Sequence, residues 1–515
     1  MRHLADAARC RTRPRCPPSA PGGTLNGQAS ILRRAGPLMI ARFAIAVVTF
    51  STPLVLARVL VPASYGTFKL AWLWCTTLGV VLPMGLTPSL IYFVPREPER
   101  RRYFIAHALL VTTSLGVCAG TLLYLFGPRI ALRMDKPELA AQMGWVALFT
   151  ALFLSGSTMD CIPMSQGRIK LAAVLRFGYE VTQAIGIVTG ALITRSLSGA
   201  LAGIVAGTGF RAVACWVMVL REHGLHVSRE HLKRQLAYAL PFGLAFAIII
   251  PQQQFHQYFV AASVTAAMFA IYAVGCFNLP IVDMLYTPVS EILQLGIAEH
   301  DRDGIREGPA RLFREAVARL AFVFIPMMAL LYVCGPTLLI FLFTERYRDS
   351  VPIFRLAILA IPLAALPLDG VMRARAQNRF VLAVSVVKLA LTVPLVVAGF
   401  HLYGLRGAMG GWVAAEAVTR GILLLRAGQL LGGMRHLLPW RTLAMQALAA
   451  AVAAPVGAVA LRFAQGPVLL RLVLCGAATG LAYLAALRAT GELPPLREWI
   501  PRKGSVVPGP STLAA

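Results

Sequence analysis

The most constraining feature of the chain is a succession of apolar runs. Each is long enough to cross a hydrocarbon layer about 30 Å thick at about 1.5 Å per helical residue. They are Pro37–Leu60, Tyr65–Pro95, Tyr103–Phe126, Leu139–Met164, Lys170–Thr194, Leu197–Leu220 and Leu236–Ala262. Further on come Thr265–Leu293, Leu312–Phe343, Val351–Val371, Phe380–His401, Leu405–Leu425, Leu443–Phe463 and Val468–Ala489. Strands with unpaired edges cannot cross lipid, so the runs read as about fourteen transmembrane helices of an all-α polytopic membrane protein. Composition agrees: 57% of the 515 residues are hydrophobic and 14% charged, against about a quarter charged in soluble domains. A soluble enzyme, a disordered chain and a secreted disulfide scaffold are excluded together.

The 49 Lys and Arg against 22 Asp and Glu give a net charge of +27. They sit mostly in short links between apolar runs, where Lys and Arg mark the cytoplasmic side, so no nucleic-acid partner is expected. The richest links are Arg96-Glu97-Pro98-Glu99-Arg100-Arg101-Arg102, the Arg221–Arg234 stretch and Arg302 to Arg314, whereas Val61-Pro62-Ala63-Ser64 and Ala262-Ser263-Val264 carry no charge. This alternation predicts both termini in the cytoplasm. The nine cysteines are scattered without metal-ligand spacing, so neither a disulfide framework nor a metal site is expected. Residues 1–35 are basic with a Pro/Gly-rich stretch and lack the apolar core of a signal peptide; they read as a disordered tail or an over-extended gene start before Met39. Residues 491–515 read as a second disordered tail.

An internal repeat refines the architecture. Arg168-Ile169-Lys170-Leu171-Ala172-Ala173-Val174, followed by Leu197-Ser198-Gly199-Ala200-Leu201-Ala202-Gly203, is similar to Arg379-Phe380-Val381-Leu382-Ala383-Val384, followed by Leu405-Arg406-Gly407-Ala408-Met409-Gly410-Gly411. Ser64-Tyr65-Gly66-Thr67-Phe68 pairs with Ile271-Tyr272-Ala273-Val274 at nearly the same offset. Each copy holds an even number of spans, so both enter the membrane the same way. Two parallel six-helix lobes with a cavity between them are expected, at 36–222 and 235–432, plus two extra helices at 439–490.

The stretch Leu56-Ala57-Arg58-Val59-Leu60-Val61-Pro62-Ala63-Ser64-Tyr65-Gly66-Thr67-Phe68 resembles the first signature of bacterial polysaccharide flippases of the multidrug/oligosaccharidyl-lipid/polysaccharide exporter superfamily. Ser89-Leu90-Ile91-Tyr92-Phe93-Val94-Pro95-Arg96, Ile271-Tyr272-Ala273-Val274-Gly275 and Tyr347-Arg348-Asp349-Ser350-Val351-Pro352 extend the resemblance from about Pro37 to Thr490. It implies two lobes arranged as a V. It also implies transfer of a polyprenyl-pyrophosphate-linked oligosaccharide from the inner to the outer leaflet of the bacterial plasma membrane, for O-antigen, capsule or exopolysaccharide. Relatives often carry an acidic residue midway along the seventh helix; here that position is His256, so a carboxylate's role in ion coupling would be absent or pass to a titrating imidazole.

A charge among transmembrane helices is costly and marks a candidate site. The cationic candidates for substrate binding are Arg211, Lys388, Arg176, Arg420, Arg42 and Lys69, and the acidic ones Asp160, Glu180, Asp283, Asp369 and Glu416. Arg42 and Lys69 lie near helix ends and can snorkel. Arg176 with Glu180, and Glu416 with Arg420, stand one turn apart and can neutralise each other. Arg211 and Lys388 lie deeper without a same-helix carboxylate. They suit a pyrophosphate, whose desolvation guanidinium and ammonium groups offset. Gln253, Gln254, His256 and Asn278 are the candidate sugar partners.

No catalytic residue, cofactor or metal is expected. There is no soluble domain, nucleotide motif or long outer loop, the longest outer connection being Gly127 to Glu138, so a glycosyltransferase, polymerase or ATPase is disfavoured. A lipid II-type flippase and a cation-coupled multidrug exporter remain alternatives. The expected partners are the lipid-linked oligosaccharide, membrane lipids and a polymerase or glycosyltransferase of the same pathway, with the chain itself a monomer.

Overall fold

The computed structural model describes residues 45, 47–277, 279–302, 304, 308–434 and 437–493. The tail expected at 1–35, residues 494–515 of the tail expected at 491–515, and the candidates Arg42 and Asn278 lie outside the described residues. The described residues form helices joined by short links, with no strand among them. α1 (Val47–Val59) leads into α2 (Pro62–Val81), α3 (Leu86–Arg96), α4 (Arg101–Arg133), α5 (Pro137–Ala141) and α6 (Met143–Ser155). α7 (Cys161–Ser165), α8 (Ile169–Thr194), α9 (Leu197–Glu222), α10 (Arg229–Ser263), α11 (Ala266–Gly275) and α12 (Pro280–Arg302) follow. The rest are α13 (Gly308–Phe343), α14 (Val351–Ala357), α15 (Leu368–Ala374), α16 (Asn378–Leu430), α17 (Trp440–Phe463) and α18 (Val468–Ala489).

Among the described residues ten helical stretches are long and apolar enough to cross a membrane, and Val47–Val59, Met143–Ser155 and Ala266–Gly275 are shorter apolar helices. Among the described residues the fourteen expected crossings are not matched by fourteen separate long helices, and local features show where expected spans are interrupted or joined. Met84 and Gly85 take positive φ after Pro83 and break α2 from α3. The expected span Val351–Val371 is two short α-helices joined by 3₁₀ turns at Ile358–Ala360 and Pro362–Ala365, because proline removes a backbone donor. Conversely, Phe380–His401 and Leu405–Leu425 run together in α16, which doubles back where Tyr403 and Gly404 leave helical geometry and Gly404 takes φ 60°. The connection expected from Gly127 to Glu138 shrinks to 134–136, since α4 continues through Pro128 to Arg133. α10 passes Pro241 and Pro251 without interruption.

Large apolar side chains face outward: Ile193 is 83% exposed and Ile292 70%. In water such a belt would aggregate; facing lipid it costs nothing. Helix pairing then depends on close approach. α8 and α9 touch through Gly186, Gly190, Gly199 and Gly203, where an added Cβ would lie within about 2.5 Å of a facing backbone oxygen. The two arms of α16 close in the same way through Gly399, Gly407 and Gly411. Of these, Gly199 and Gly203 are the ones the internal repeat aligns with Gly407 and Gly411. α17 and α18 pair through Gly457 and Thr479 and rest on α13.

The helices the repeat pairs, α2 and α11, pack face to face, with Gly66 against the Ala266 carbonyl. Their continuations α3 and α12, which end at Arg96 and Arg302, make no comparable contact. At the closed end Tyr65 and Tyr347 meet edge to face at 5.8 Å, and Arg58 donates to the Phe341 carbonyl at 2.6 Å.

α10 belongs to both sides. Its first turns sit on α3 and α4: Gln235 donates to Ser89 Oγ at 3.0 Å and to the Phe104 carbonyl at 3.2 Å, and Tyr238 stacks on Tyr92. Its far end packs on α16, with Phe259 against Phe400. Arg234 adds a fork onto Glu97, 2.6 and 3.3 Å. That hydrogen bond holds the Glu97 carboxyl below its ordinary value. A lowered carboxyl contributes stability above its unfolded pKa of about 4.3, and the contribution is lost as pH falls through the folded value. Glu97→Gln is therefore expected to lower the Tm at pH 7, with the difference from wild type closing as pH falls well below about 4 in a thermal scan.

Candidate functional site: two charged cavities between the helices

A cavity of about 790 Å³ lies among α1, α2, α3, α6, α7, α8 and α9 and reaches Phe277 and Pro280 at the α11–α12 link. Three elements supply its charges. Asp160 ends the irregular stretch between α6 and α7; Arg176 and Glu180 are one turn apart on α8; Arg211 comes from α9. Arg176 reaches Asp160 at 3.3 Å and Glu180 at 3.1 Å, and Arg211 reaches the other oxygen of Asp160 at 3.3 Å. The Arg211 guanidinium lies over the Tyr179 ring at 4.3 Å, and its Nε is buried without a hydrogen-bond partner.

Lys69 lines a smaller adjoining space of about 140 Å³ with Glu180, Gln183 and Trp72. Its Nζ stands 5.7 Å from the Tyr65 ring, and among the described residues it has no ion-pair partner.

A second cavity, about 360 Å³, lies among α10, the α11–α12 link, α14 and both arms of α16; Phe277 lines this one too. Lys388 on the first arm of α16 and Arg420 on the second both grip Glu416, at 2.5 and 2.8 Å. Arg420 also donates to the carbonyls of Leu363 and Leu366, each at 3.2 Å, next to the 3₁₀ turn where helical pairing is interrupted. His256 is buried, shares a 2.8 Å hydrogen bond with the Tyr272 hydroxyl, and faces the Trp412 ring. Gln253 and Gln254 line the same cavity, and Trp412 Nε1 is buried without a partner.

The deep cations Arg211 and Lys388 thus fall in different cavities, and each has a carboxylate partner from another segment. The one-turn pairs Arg176–Glu180 and Glu416–Arg420 both form. The walls are mixed in charge rather than uniformly positive. Sequence reasoning named Asp160 and Glu416 but did not give them a bridging role, and it missed Tyr179 and Trp412. Cross-helix distances carry no spacing signal in a chain; an aromatic in an apolar run carries none either.

No curated protein matches the chain in sequence. The fold is similar to that of solved transporters. The lipid II flippase MurJ in an inward closed conformation matches with TM-score 0.73 at 12% identity, over 88% of this chain and 99% of that one. An inward-facing multidrug resistance MATE family transporter of the MOP superfamily matches at 0.62 and 15%, over 79% and 99%. The Vibrio cholerae MATE transporter VcmN in its bent form matches at 0.51 and 16%, over 78% and 98%. At these identities the likeness is one of fold. The sequence itself matches the family model described as "Polysaccharide biosynthesis protein" over residues 55–352. With more than half its length covered by that model, the chain belongs to the polysaccharide biosynthesis protein family.

Proposed function

We propose that the protein is a flippase that carries a polyprenyl-pyrophosphate-linked oligosaccharide from the inner to the outer leaflet of a bacterial plasma membrane, for cell-surface polysaccharide. The observation that carries this reading is the 790 Å³ charged cavity beside helices that pack through α2 and α11 but make no comparable contact through α3 and α12. α3 and α12 lead into the Arg-rich links, which by the positive-inside rule face the cytoplasm. An inner-leaflet head group then has a polar chamber to enter, while its tail stays in lipid. Arg176, Arg211 and Lys69 supply cations for the pyrophosphate, and the amides of Gln253 and Gln254 with the Trp412 ring supply exchangeable sugar contacts. His256, fixed by Tyr272, orients that second wall. The proposed arrangement is two lobes at 36–222 and 235–432, with α10 tying them, and no catalysis.

A lipid II-type flippase is the second reading, favoured by the overall likeness to MurJ; the polysaccharide family match favours the first. Loss of the gene is expected to accumulate lipid-linked glycan on the inner leaflet, and its identity separates the two: a surface-polysaccharide repeat supports the first, lipid II the second. In complementation, Arg211→Ala and Lys388→Ala are each expected to lower surface glycan about tenfold at normal membrane levels, the scale of one lost charge-assisted contact. Full activity in both variants would exclude the charged cavities from transport.

A further inference from the structure

We propose that Asp160 is a built-in competitor for the anionic head of the transported molecule, holding on Arg176 and Arg211 the positions that phosphate oxygens take during transport. The inference rests on the flippase reading above and adds what sets the strength of head-group binding.

The geometry is that of a loosely held stand-in. One carboxylate bridges two guanidiniums, an oxygen to each, and both contacts are 3.3 Å. Charge-assisted pairs in firm geometry close to about 2.7–2.9 Å. Arg211 is 6% exposed, lies over the rings of Phe153 and Tyr179, and its Nε has no acceptor. Its donors are thus not exhausted by Asp160. Arg176 is half exposed toward the same chamber. Two guanidiniums converging on one point, with donors to spare, match a ligand richer in oxygens than a carboxylate.

Asp160 sits between α6 and α7, where the chain leaves helical pairing at Gly156, so it can swing away without unwinding a long helix. The other groups that face it are Arg176, Tyr179 and Glu180 from α8, and Arg211 and Cys215 from α9, with Cys161 beside it in sequence. Among the described residues Glu180 pairs with Arg176 and not with Arg211. Because Asp160 is tethered, its effective concentration at the two cations is high and constant. It therefore weakens head-group binding and speeds release, which a carrier needs and a receptor does not.

The test uses the full chain in nanodiscs, with inorganic pyrophosphate and a polyprenyl pyrophosphate as parallel probes. Asp160→Asn is expected to bind both at least tenfold more tightly than wild type while restoring less surface glycan in cells. Asp160→Ser, neutral and smaller, makes the same comparison if the asparagine variant fails to fold. Glu180→Gln is expected to tighten binding less than either. Unchanged or weaker binding by both neutral variants, with wild type binding normally, overturns the competitor role and leaves the flippase reading standing. Tightening confined to the inorganic probe overturns the assignment to a lipid head. If neither wild type nor variants bind either probe, this cavity does not take pyrophosphate, and the flippase reading fails with the proposal.

Discussion

Gly66→Val is expected to abolish transport while the protein still reaches the membrane. A Cβ at position 66 would lie 1.9 Å from the Ala266 carbonyl oxygen and 2.8 Å from its carbon. Backbone atoms cannot rotate aside as a side chain can, so α2 and α11 must move apart. Overpacking of this kind costs about 1–3 kcal/mol, and a backbone clash belongs at the upper end. The cost falls on the closed end as a whole, because several other contacts meet there. Ser64 and Thr67 donate to the two oxygens of Glu138 at 2.5 and 3.0 Å, and the Lys136 ammonium donates to the Val264 carbonyl across the α10–α11 turn. A carrier must shut one end while the other is open, and a wedge here leaves both ends open. Complementation should drop to the background of the empty vector, with Gly66→Ala intermediate, and a cysteine placed at Ala270 should become reactive to a membrane-impermeant thiol reagent. Normal complementation by Gly66→Val would mean that the α2–α11 contact has no part in the transport cycle.

The glycine at 66 was visible in the sequence only as part of the Ser64–Phe68 signature, and the limits of legibility are similar elsewhere. Hydropathy locates α8 and α9 to within a residue or two, because every residue of a lipid-facing helix reports on its solvent. The repeat is legible for the same kind of reason: glycines at close helix crossings tolerate no substitution by size, so both hairpins keep them. Interrupted helices are less so, since Pro83 and Pro362 break their spans while Pro241 and Pro251 do not, and packing decides which. The charged pairs divide along the same line. Arg176–Glu180 and Glu416–Arg420 follow from helical spacing. Arg211–Asp160 and Lys388–Glu416 depend on how segments are brought together and have no signature in either segment alone. Legible charges gave candidates; their partners, which decide what those charges can bind, came from the fold.

Glu416→Ala is expected to destabilise the protein by about 3–5 kcal/mol, the usual cost of leaving a buried charge without its partner. Lys388 and Glu416 are 15% and 14% exposed, and both cations of the second cavity depend on this one carboxylate. Arg420 keeps two carbonyl acceptors when Glu416 is lost; Lys388, among the described residues, keeps none of its ion pairing. Most of the loss should therefore be recovered by removing the ammonium as well, since replacing a buried ion pair with apolar groups of similar volume is often neutral or stabilising. Glu416→Met with Lys388→Met is the matching double variant, and its Tm in detergent should return to within a few degrees of wild type. Stability and transport then separate. If the pair serves only to hold the two arms of α16 together, the double variant regains surface glycan along with its Tm. If the second cavity contributes to transport through its charges, the double variant folds as well as wild type yet stays deficient in the complementation assay, and that divergence is the expected result. Recovery of both readouts would reduce Lys388 and Glu416 to a structural tie between the arms of α16.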